Sequence, residues 1–201
     1  LHLHEPMAPG PTQTALLTLV ESLAKLMAPI LSFTADEIWQ HIPGQREESV
    51  FLSTFAQGGQ SLPEHKEFSD RYWKQVMQVK SAVNKELENK RAEKVIGSGL
   101  SAEVTLYCNE ELGADLARLG AELRFALIVS LAEIAPLDTA GSDAVDTEVS
   151  GLKLRVVPSG EAKCERCWHH SNSVGINTQH PTLCSRCLEN IEGDGEARRF
   201  A

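Results

Sequence analysis

The chain has 201 residues, which is enough for one to three domains, each with a core of its own. Its formal net charge of −9 argues against a protein that coats nucleic acid without selectivity, although a local basic patch can still bind RNA. No signal peptide is visible, and Glu21, Lys25 and Pro29 interrupt the most apolar stretch, 16–33, too often for a membrane span. We therefore expect a cytoplasmic protein without a membrane partner, and the start at Leu1 leads us to expect a piece of a longer chain.

Residues 1–45 predict the end of a helical bundle. Apolar residues recur at helical spacing from Leu16 to Met27, and Pro29 then interrupts the pattern. A second helix follows and stops near Pro43. Because two helices alone cannot close a core, we expect the other helices of the bundle to lie upstream of this sequence.

The start of the second helix is predicted from its capping residues. Thr34 is placed as the N-cap, with Glu37 three residues later as its capping-box partner. Phe33 and Ile38 have the spacing of a hydrophobic staple. The pattern therefore predicts that this helix begins directly after Thr34.

The middle of the chain predicts a linker over 46–68 and a small α/β domain over 69–158. The linker is rich in Gly, Ser, Gln and Pro. A long helix then runs from about Ser69 to about Val95 and is ended by Gly97 and Gly99. Its apolar stripe recurs at helical spacing and consists of Tyr72, Val76, Val79, Val83 and Leu87.

The rest of this domain is predicted from alternating residues and caps. Ala102–Cys108 alternates as a strand, and Asn109 is the expected N-cap of the helix that follows. Residues 123–134 are mostly apolar and predict a helix passing into a strand, and 152–157 predicts the last strand. We interpret Cys108 as a core residue and not as a metal ligand.

Four other cysteines define the last segment, 159–201. Cys164 and Cys167 form one CxxC pair, and Cys184 and Cys187 form a second pair after sixteen further residues. Two such turns, joined by a hairpin, place four thiolates around one tetrahedral zinc ion. Two disulfides or free thiols are the alternatives, but a reducing cytosol and the lack of a thioredoxin-like unit disfavour them. We therefore predict one structural Zn²⁺ in a zinc ribbon.

Each side chain beside the cysteines has a structural and a functional interpretation. Arg166 and Arg186 lie inside the CxxC turns and either neutralise the zinc–thiolate centre or reach phosphate. Trp168 either packs in the core or offers a stacking surface to an unpaired base. His169 and His170 could replace a ligand, but four thiolates already fill the tetrahedron.

A basic cluster at the end of the long helix gives further candidates for RNA contact. Lys90, Arg91 and Lys94 lie where cations suit the helix dipole, which is the ordinary reading. They are also the best phosphate-contact candidates in the chain. Signatures of nucleotide binding and catalysis such as GxxxxGK[ST], GxGxxG, GxSxG and HExxH are absent, so we infer that these residues bind and do not catalyse.

Several segments resemble known enzymes. Residues 27–39, Met-Ala-Pro-Ile-Leu-Ser-Phe-Thr-Ala-Asp-Glu-Ile-Trp, are similar to the anticodon-binding helical domain of the class I synthetases for isoleucine, valine, leucine and methionine. Residues 87–104 and the ending from Lys163 to Ala201 resemble the isoleucyl-tRNA synthetases of the bacterial type. The resemblance covers essentially the whole chain in order.

This resemblance implies an α+β multidomain fold with a partial α-helical bundle for anticodon binding, a small α/β junction domain and a C-terminal zinc ribbon. It implies a monomer that binds the tRNA for isoleucine and does not bind DNA. The parent enzyme would join isoleucine to this tRNA through an isoleucyl-adenylate. Because the adenylate-forming signatures of the family are absent here, ATP and Mg²⁺ would bind only in the missing catalytic part.

Two other functions fit part of the sequence. Formamidopyrimidine-DNA glycosylases carry a similar four-cysteine ribbon, but they need an N-terminal proline nucleophile and a helix–two-turn–helix element, and neither is found. A purely structural zinc module for protein contacts would have an apolar surface around Trp168 and would not bind RNA.

Overall fold

The computed structural model describes residues 11–55 and 68–198, with side chains from Gln13 onward. The chain divides into two compact units, Leu1–Ser61 and Leu62–Ala201. None of the helices in the described ranges combines the length and the apolar character that a membrane-spanning segment requires.

The first unit contains the two predicted helices, α1 (Pro11–Met27) and α2 (Ser32–His41), which pack on each other after a tight turn. Short side chains at their contact let the two backbones approach. The indole nitrogen of Trp39 donates to the carbonyl of Glu47 at 2.9 Å, so this buried ring has its polar atom satisfied. The buried residues of this unit are Ala24, Ala28, Ala35, Trp39, Ile42 and Val50.

The predicted start of α2 is wrong. The helix begins at Ser32, its N-cap is Leu31, and no side chain caps it, so Thr34 lies inside the first turn. Phe33 is 94% exposed and forms no staple. The reason is the turn after α1, where the N–H of Leu31 donates to the carbonyl of Met27 and leads directly into the next helix.

Residues 46–55, which the sequence assigned to a linker, pack on the helices. A carboxylate oxygen of Asp36 accepts hydrogen bonds from the hydroxyl of Ser49 at 2.7 Å and from the N–H of Val50 at 3.0 Å. Val50 is buried at the start of a short 3-10 helix, Val50–Leu52. The rest of the predicted linker up to residue 67 lies outside the described residues.

One side of α1 carries large apolar residues that are exposed within the described part of this unit. They recur at alternating spacings of three and four, which is the repeat of a helix–helix packing seam. The opposite side of α1 contacts α2, so the helix is apolar on two sides, as is typical of a helix inside a bundle. The exposed residues are Leu16, Leu19, Leu23 and Leu26, and Ile30 in the turn after the helix is exposed as well.

The second unit is built on a four-stranded sheet with the order β2-β1-β4-β3. Its strands are β1 (Ala102–Cys108), β2 (Leu131–Pro136), β3 (Val145–Asp146) and β4 (Leu152–Pro158). β1 pairs in parallel with β2 and antiparallel with β4, and β3 pairs antiparallel with β4. The parallel pair requires a crossover, which helices α4 (Glu110–Ala117) and α5 (Leu123–Leu127) provide. The predicted strands and the helix-to-strand passage over 123–134 are thereby confirmed.

The long helix α3 (Asp70–Ala92) packs against α5 and β4. The hydroxyl of Ser69 caps it by accepting from the N–H of Tyr72, and the predicted apolar stripe is buried in full. Cys108 lies in the same core, where burial raises the pKa of its thiol to about 11, so its interpretation as a core residue is confirmed. The largest fully buried side chains of this core are Val76, Val79, Val83, Val104, Leu106, Leu116, Leu119, Leu123, Leu127, Val129 and Leu154.

The end of α3 differs from the prediction, because Lys94 and not Gly97 ends it. Lys94 adopts a left-handed backbone with φ of 59°. The N–H of Lys94 then donates to the carbonyl of Arg91, and the N–H of Val95 to that of Lys90, which is the hydrogen-bond pattern that glycine usually supports. The helix therefore stops about three residues before the predicted Val95.

The cap of α4 gives a first test of stability. The side-chain oxygen of Asn109 accepts from the N–H of Leu112 at 2.9 Å, as the sequence predicted. We expect Asn109→Ala to lower the free energy of unfolding by about 1 kcal/mol, because this N–H then lacks its partner, while Asn109→Ser should keep most of the stability. Urea denaturation of the three proteins measures this, and an alanine variant as stable as the parent would contradict it.

Candidate metal centre and nucleic-acid interface

The four cysteines are presented by a turn and by a helix start. Cys164 and Cys167 lie in a turn closed by a bridge between Lys163 and His170, and the N–H of Cys164 donates to the carbonyl of His169 at 2.9 Å. Cys184 is the N-cap of helix α6 (Ser185–Glu192), and its first turn carries Cys187. The sixteen residues between the pairs form turns and bends without strand pairing, so the predicted hairpin is wrong; the bridge between Lys163 and His170 closes only the turn of the first pair.

The sulfur atoms fit one zinc ion. Four sulfurs that each lie 2.3 Å from a tetrahedral Zn²⁺ are about 3.8 Å from one another. The Sγ atoms of Cys164 and Cys187 are 3.7 Å apart, as are those of Cys167 and Cys184, and all four lie within 4.8 Å of one another. Because the site is closed by four thiols, it fits a structural zinc.

The surroundings of the sulfurs also favour a bound cation. Burial opposes ionisation of Cys164, but the backbone N–H groups of Cys167, Cys184 and Arg166 lower the pKa of its thiol to about 6. Burial raises the pKa of the Cys184 thiol and raises that of Cys187 to about 12. Four thiolates this close together cannot all be charged without a cation, which zinc supplies.

The two histidines beside the first pair are not part of the cluster. The ring nitrogen Nδ1 of His169 lies 3.2 Å from the carbonyl oxygen of Cys167, and that of His170 lies 2.7 Å from the carbonyl oxygen of Glu161. The only group of potential ligands found among the described residues is the four cysteines. The interpretation that cysteines alone fill the tetrahedron is therefore supported.

The arginines of the CxxC turns contact the sulfur centre. Nη1 of Arg166 is 3.7 Å from the Cys187 sulfur. Burial opposes the charge of Arg186, but the Cys167 sulfur and Glu196 raise the pKa of its guanidinium. Arg186 also forms an ion pair with Glu196 at 3.2 Å. Both arginines therefore neutralise negative charge at the four-cysteine cluster, and this role does not depend on whether they also contact phosphate.

The segment that carries the cysteines is docked on the sheet domain by an aromatic contact that the sequence analysis missed. The ring of Phe125, on α5, meets His169 edge-on with 5.7 Å between ring centroids. Guanidinium groups of Arg124, Arg186 and Arg198 lie 4.2 to 5.0 Å from the centre of the same ring. No sequence signal identifies this contact, because the partners are far apart in the chain.

Ser130 provides a second contact between the cysteine segment and the sheet domain. Its hydroxyl is buried, donates to the carbonyl of Leu100 and accepts from the N–H of His170 at 2.7 Å. One side chain thus joins the loop after α3, the start of β2 and the cysteine segment. The sequence alone gave no reason to single out this serine.

The Ser130 contact predicts a measurable loosening. We expect Ser130→Ala to lower the free energy of unfolding of the second unit by about 1 kcal/mol, because two partly buried backbone groups lose their hydrogen-bond partner. Amide hydrogen exchange at His170 should also become faster. Thr139→Ala, which removes an exposed hydroxyl bonded to the carbonyl of Pro136, is the control and should change neither quantity much. Unchanged exchange at His170 in the Ser130 variant would contradict the assignment.

Trp168 is exposed, so core packing is not its role. Its side chain is 60% exposed, and its backbone is left-handed with φ of 65°. The turn fixes this conformation, since the N–H of Trp168 donates to the carbonyl of Cys164 at 2.9 Å. The ammonium of Lys163 lies 5.5 Å from the ring centre and adds a positive charge beside it.

The three basic residues at the end of α3 differ in their partners. Lys90 pairs with Glu93 at 2.9 Å, and its pKa is raised by that contact; Arg91 pairs with Glu88 at 2.7 Å. Lys94 is exposed and forms no ion pair with any described residue. Of this cluster, Lys94 is therefore the cation most available to a ligand.

Comparison with known proteins identifies two parts of the chain. Residues 2–106, just over half of the sequence, match the family described as the anticodon-binding domain of tRNA ligase. Residues 162–190, which contain all four cysteines, match the family described as a zinc finger found in FPG and IleRS. The description of this zinc finger names two groups of proteins, FPG and IleRS. The match of residues 2–106 to an anticodon-binding domain favours the second group.

Three similar curated proteins are much longer than this chain. A protein named isoleucine–tRNA ligase from Pseudomonas paraeruginosa (strain DSM 24068 / PA7) is 58% identical over 189 residues, which is 94% of this chain and 20% of that protein. Proteins of the same name from Pseudomonas aeruginosa (strain UCBPP-PA14) and Pseudomonas putida (strain W619) are 57% identical over the same shares. The chain thus spans one fifth of the length of these relatives.

Proposed function

Because the chain belongs to the family of anticodon-binding domains of tRNA ligases, we propose that it is the C-terminal, tRNA-binding part of an isoleucine–tRNA ligase. It binds the anticodon side of the tRNA for isoleucine. The observation that carries this proposal is the family match over 2–106, and the exposed Trp168 beside the zinc centre supports it. The whole enzyme joins isoleucine to this tRNA with ATP, and ATP and Mg²⁺ bind in its catalytic part, outside this chain.

The proposed layout follows the resemblance. Residues 1–45 are the end of the anticodon-binding helical domain, 69–158 the junction domain and 159–201 the zinc-binding domain. Of the linker proposed over 46–68, residues 46–55 belong instead with the helices on which they pack. The exposed leucines of α1 are covered in the longer enzyme by the preceding helices. A row of large apolar side chains of this length is seldom left exposed to solvent. The enzyme acts as a monomer in this proposal.

The RNA contacts are proposed residue by residue. Trp168 stacks on an unpaired base, and Lys94 contacts a phosphate, since both side chains are exposed and Lys94 has no ion pair among the described residues. Lys90 and Arg91 reach the backbone of the RNA by exchanging their present glutamate partners. Arg166 and Arg186 hold the thiolate centre and add positive potential to the same surface, and Arg166 is itself exposed.

A binding experiment tests the function as a whole. The zinc-loaded chain is titrated with the tRNA for isoleucine, with the same tRNA carrying an altered anticodon, and with a DNA duplex containing a damaged base. Tighter binding of the intact tRNA, lost when the anticodon changes, is the expected result. Preference for the DNA would favour a glycosylase, and equal weak binding of all three would favour a structural zinc module.

Trp168 gives a sharper test of the proposed interface. We expect Trp168→Ala to weaken tRNA binding by about tenfold to a hundredfold, because stacking of one base on an aromatic ring contributes about 1–3 kcal/mol. Trp168→Phe should retain part of the affinity. Zinc content should stay at one ion per chain in both variants, since the side chain is not a ligand. Full tRNA affinity in the alanine variant would rule out stacking at this position.

A further inference from the structure

Three exposed residues with an unfavourable backbone stand out in the second unit. Lys94, Ile128 and Trp168 are the non-glycine residues with left-handed backbones in the described part of the chain, with φ of 59°, 60° and 65°. This conformation is uncommon for any residue with a side chain, and for a β-branched residue such as isoleucine it is a true outlier. Ile128 is nevertheless 53% exposed.

Hydrogen bonds hold Ile128 in this conformation. It follows α5, where its N–H donates to the carbonyl of Phe125 at 3.2 Å, and the N–H of Val129 donates to the carbonyl of Arg124 at 3.0 Å. This is the helix ending at which glycine is normally found. Glycine would adopt this backbone conformation without strain. The geometry of the helix end therefore does not explain why the residue is isoleucine.

Two of these residues, Ile128 and Trp168, lie in segments that are joined at Ser130 and by the contact of Phe125 with His169. The Ser130 hydroxyl bonds to Leu100, in the loop that follows Lys94, and to the N–H of His170, which lies two residues after Trp168. Ile128 lies two residues before Ser130. Two residues of extended chain span about 7 Å, so both Ile128 and Trp168 lie close to this hydrogen bond.

We propose that Ile128 is a further RNA-contact residue, which packs against the sugar or base of a nucleotide next to the one stacked on Trp168. The proposal rests on the function proposed above and extends it. The occupant is an unpaired stretch of tRNA, because an exposed aromatic ring, a neighbouring exposed aliphatic side chain and the cation of Lys163 beside the ring match splayed bases and their phosphates. Strained residues that persist at exposed positions are typical of such sites.

The test combines stability with binding. Ile128→Gly relieves the backbone and removes the side chain, so we expect a higher melting temperature together with about threefold to thirtyfold weaker binding of the tRNA for isoleucine. Ile128→Asn, which also tolerates a left-handed backbone, should fold and should weaken binding similarly. Ile176→Ala is the matched control, because Ile176 is 74% exposed in the loop between the two CxxC pairs, and it should bind as the parent does.

The outcomes separate this inference from the proposed function. If the parent chain binds the tRNA and the Ile128 variants bind equally well, Ile128 makes no contact and the inference is wrong while the function stands. If the parent chain itself does not prefer the tRNA, the proposed function fails and the inference fails with it. A gain in stability with a loss of affinity in Ile128→Gly supports the inference, because a purely structural side chain would not give both.

Discussion

Replacement of Cys184 by serine is expected to release the metal and to unfold residues 162–192, while the four-stranded sheet stays folded. The cysteine segment has almost no core of its own: its buried cluster consists of Cys164, Cys184 and Cys187, with Val174 and Leu183 partly buried beside them. Binding of a structural zinc by small folds contributes about 10–16 kcal/mol. Loss of the metal therefore removes more free energy than this segment can replace.

The sheet should survive because its core is separate from the cysteine cluster. The apolar cluster around β1, β4 and α3 includes no residue of the cysteine segment. Among the described residues, the contacts at Ser130 and Phe125 connect the sheet with the cysteine segment, and their loss should loosen the surface and not melt the sheet. We therefore expect far-UV circular dichroism to change modestly and tRNA affinity to fall strongly.

The matched control is the fifth cysteine. Cys108→Ala removes a buried thiol from β1 and should keep one zinc per chain, whereas Cys184→Ser should keep none. Metal content is measured by mass spectrometry, and unfolding is followed by hydrogen exchange over 162–192. A Cys184→Ser variant that keeps both zinc and protection in this range would show that three cysteines suffice and that the closed site is misassigned.

The sequence predicted the elements of the second unit well because their signals are local. The alternation in Ala102–Cys108, the cap at Asn109 and the spacing of the α3 stripe each depend on neighbouring residues, and each was confirmed. The ligand set was predicted for the same reason, since two CxxC turns specify a tetrahedral site by spacing alone.

The errors arose where the backbone overrides local preference. The turn after α1 starts α2 at Ser32, before Thr34 can act as a cap, and Lys94 takes the left-handed position that was expected to belong to Gly97. The docking contacts of Ser130 and Phe125 join segments far apart in sequence, so no local pattern could indicate them. The same holds for Ile128, whose unusual backbone is visible only in the structure.

Replacement of Leu106 by alanine is expected to destabilise the four-stranded sheet of the second unit strongly. Leu106 is fully buried in β1, the strand that pairs with both β2 and β4, and its register partners are Ile134 and Leu154. A leucine-to-alanine change in a tightly packed core costs about 3–5 kcal/mol, through lost burial and the cavity left behind. This is a large part of the about 5–15 kcal/mol by which domains of this size are stable.

The control for this prediction lies on the neighbouring strand. Leu131 begins β2 and is 37% exposed, so Leu131→Ala should cost less than about 1 kcal/mol. Urea denaturation followed by circular dichroism compares the two variants, and the slopes of the transitions should agree if the folded states are alike. Equal costs for the two leucines would mean that β1 is not the centre of the core. A selective loss at Leu106 would instead place the cooperative stability of this unit in the sheet, as the expected survival of the sheet without the zinc centre requires.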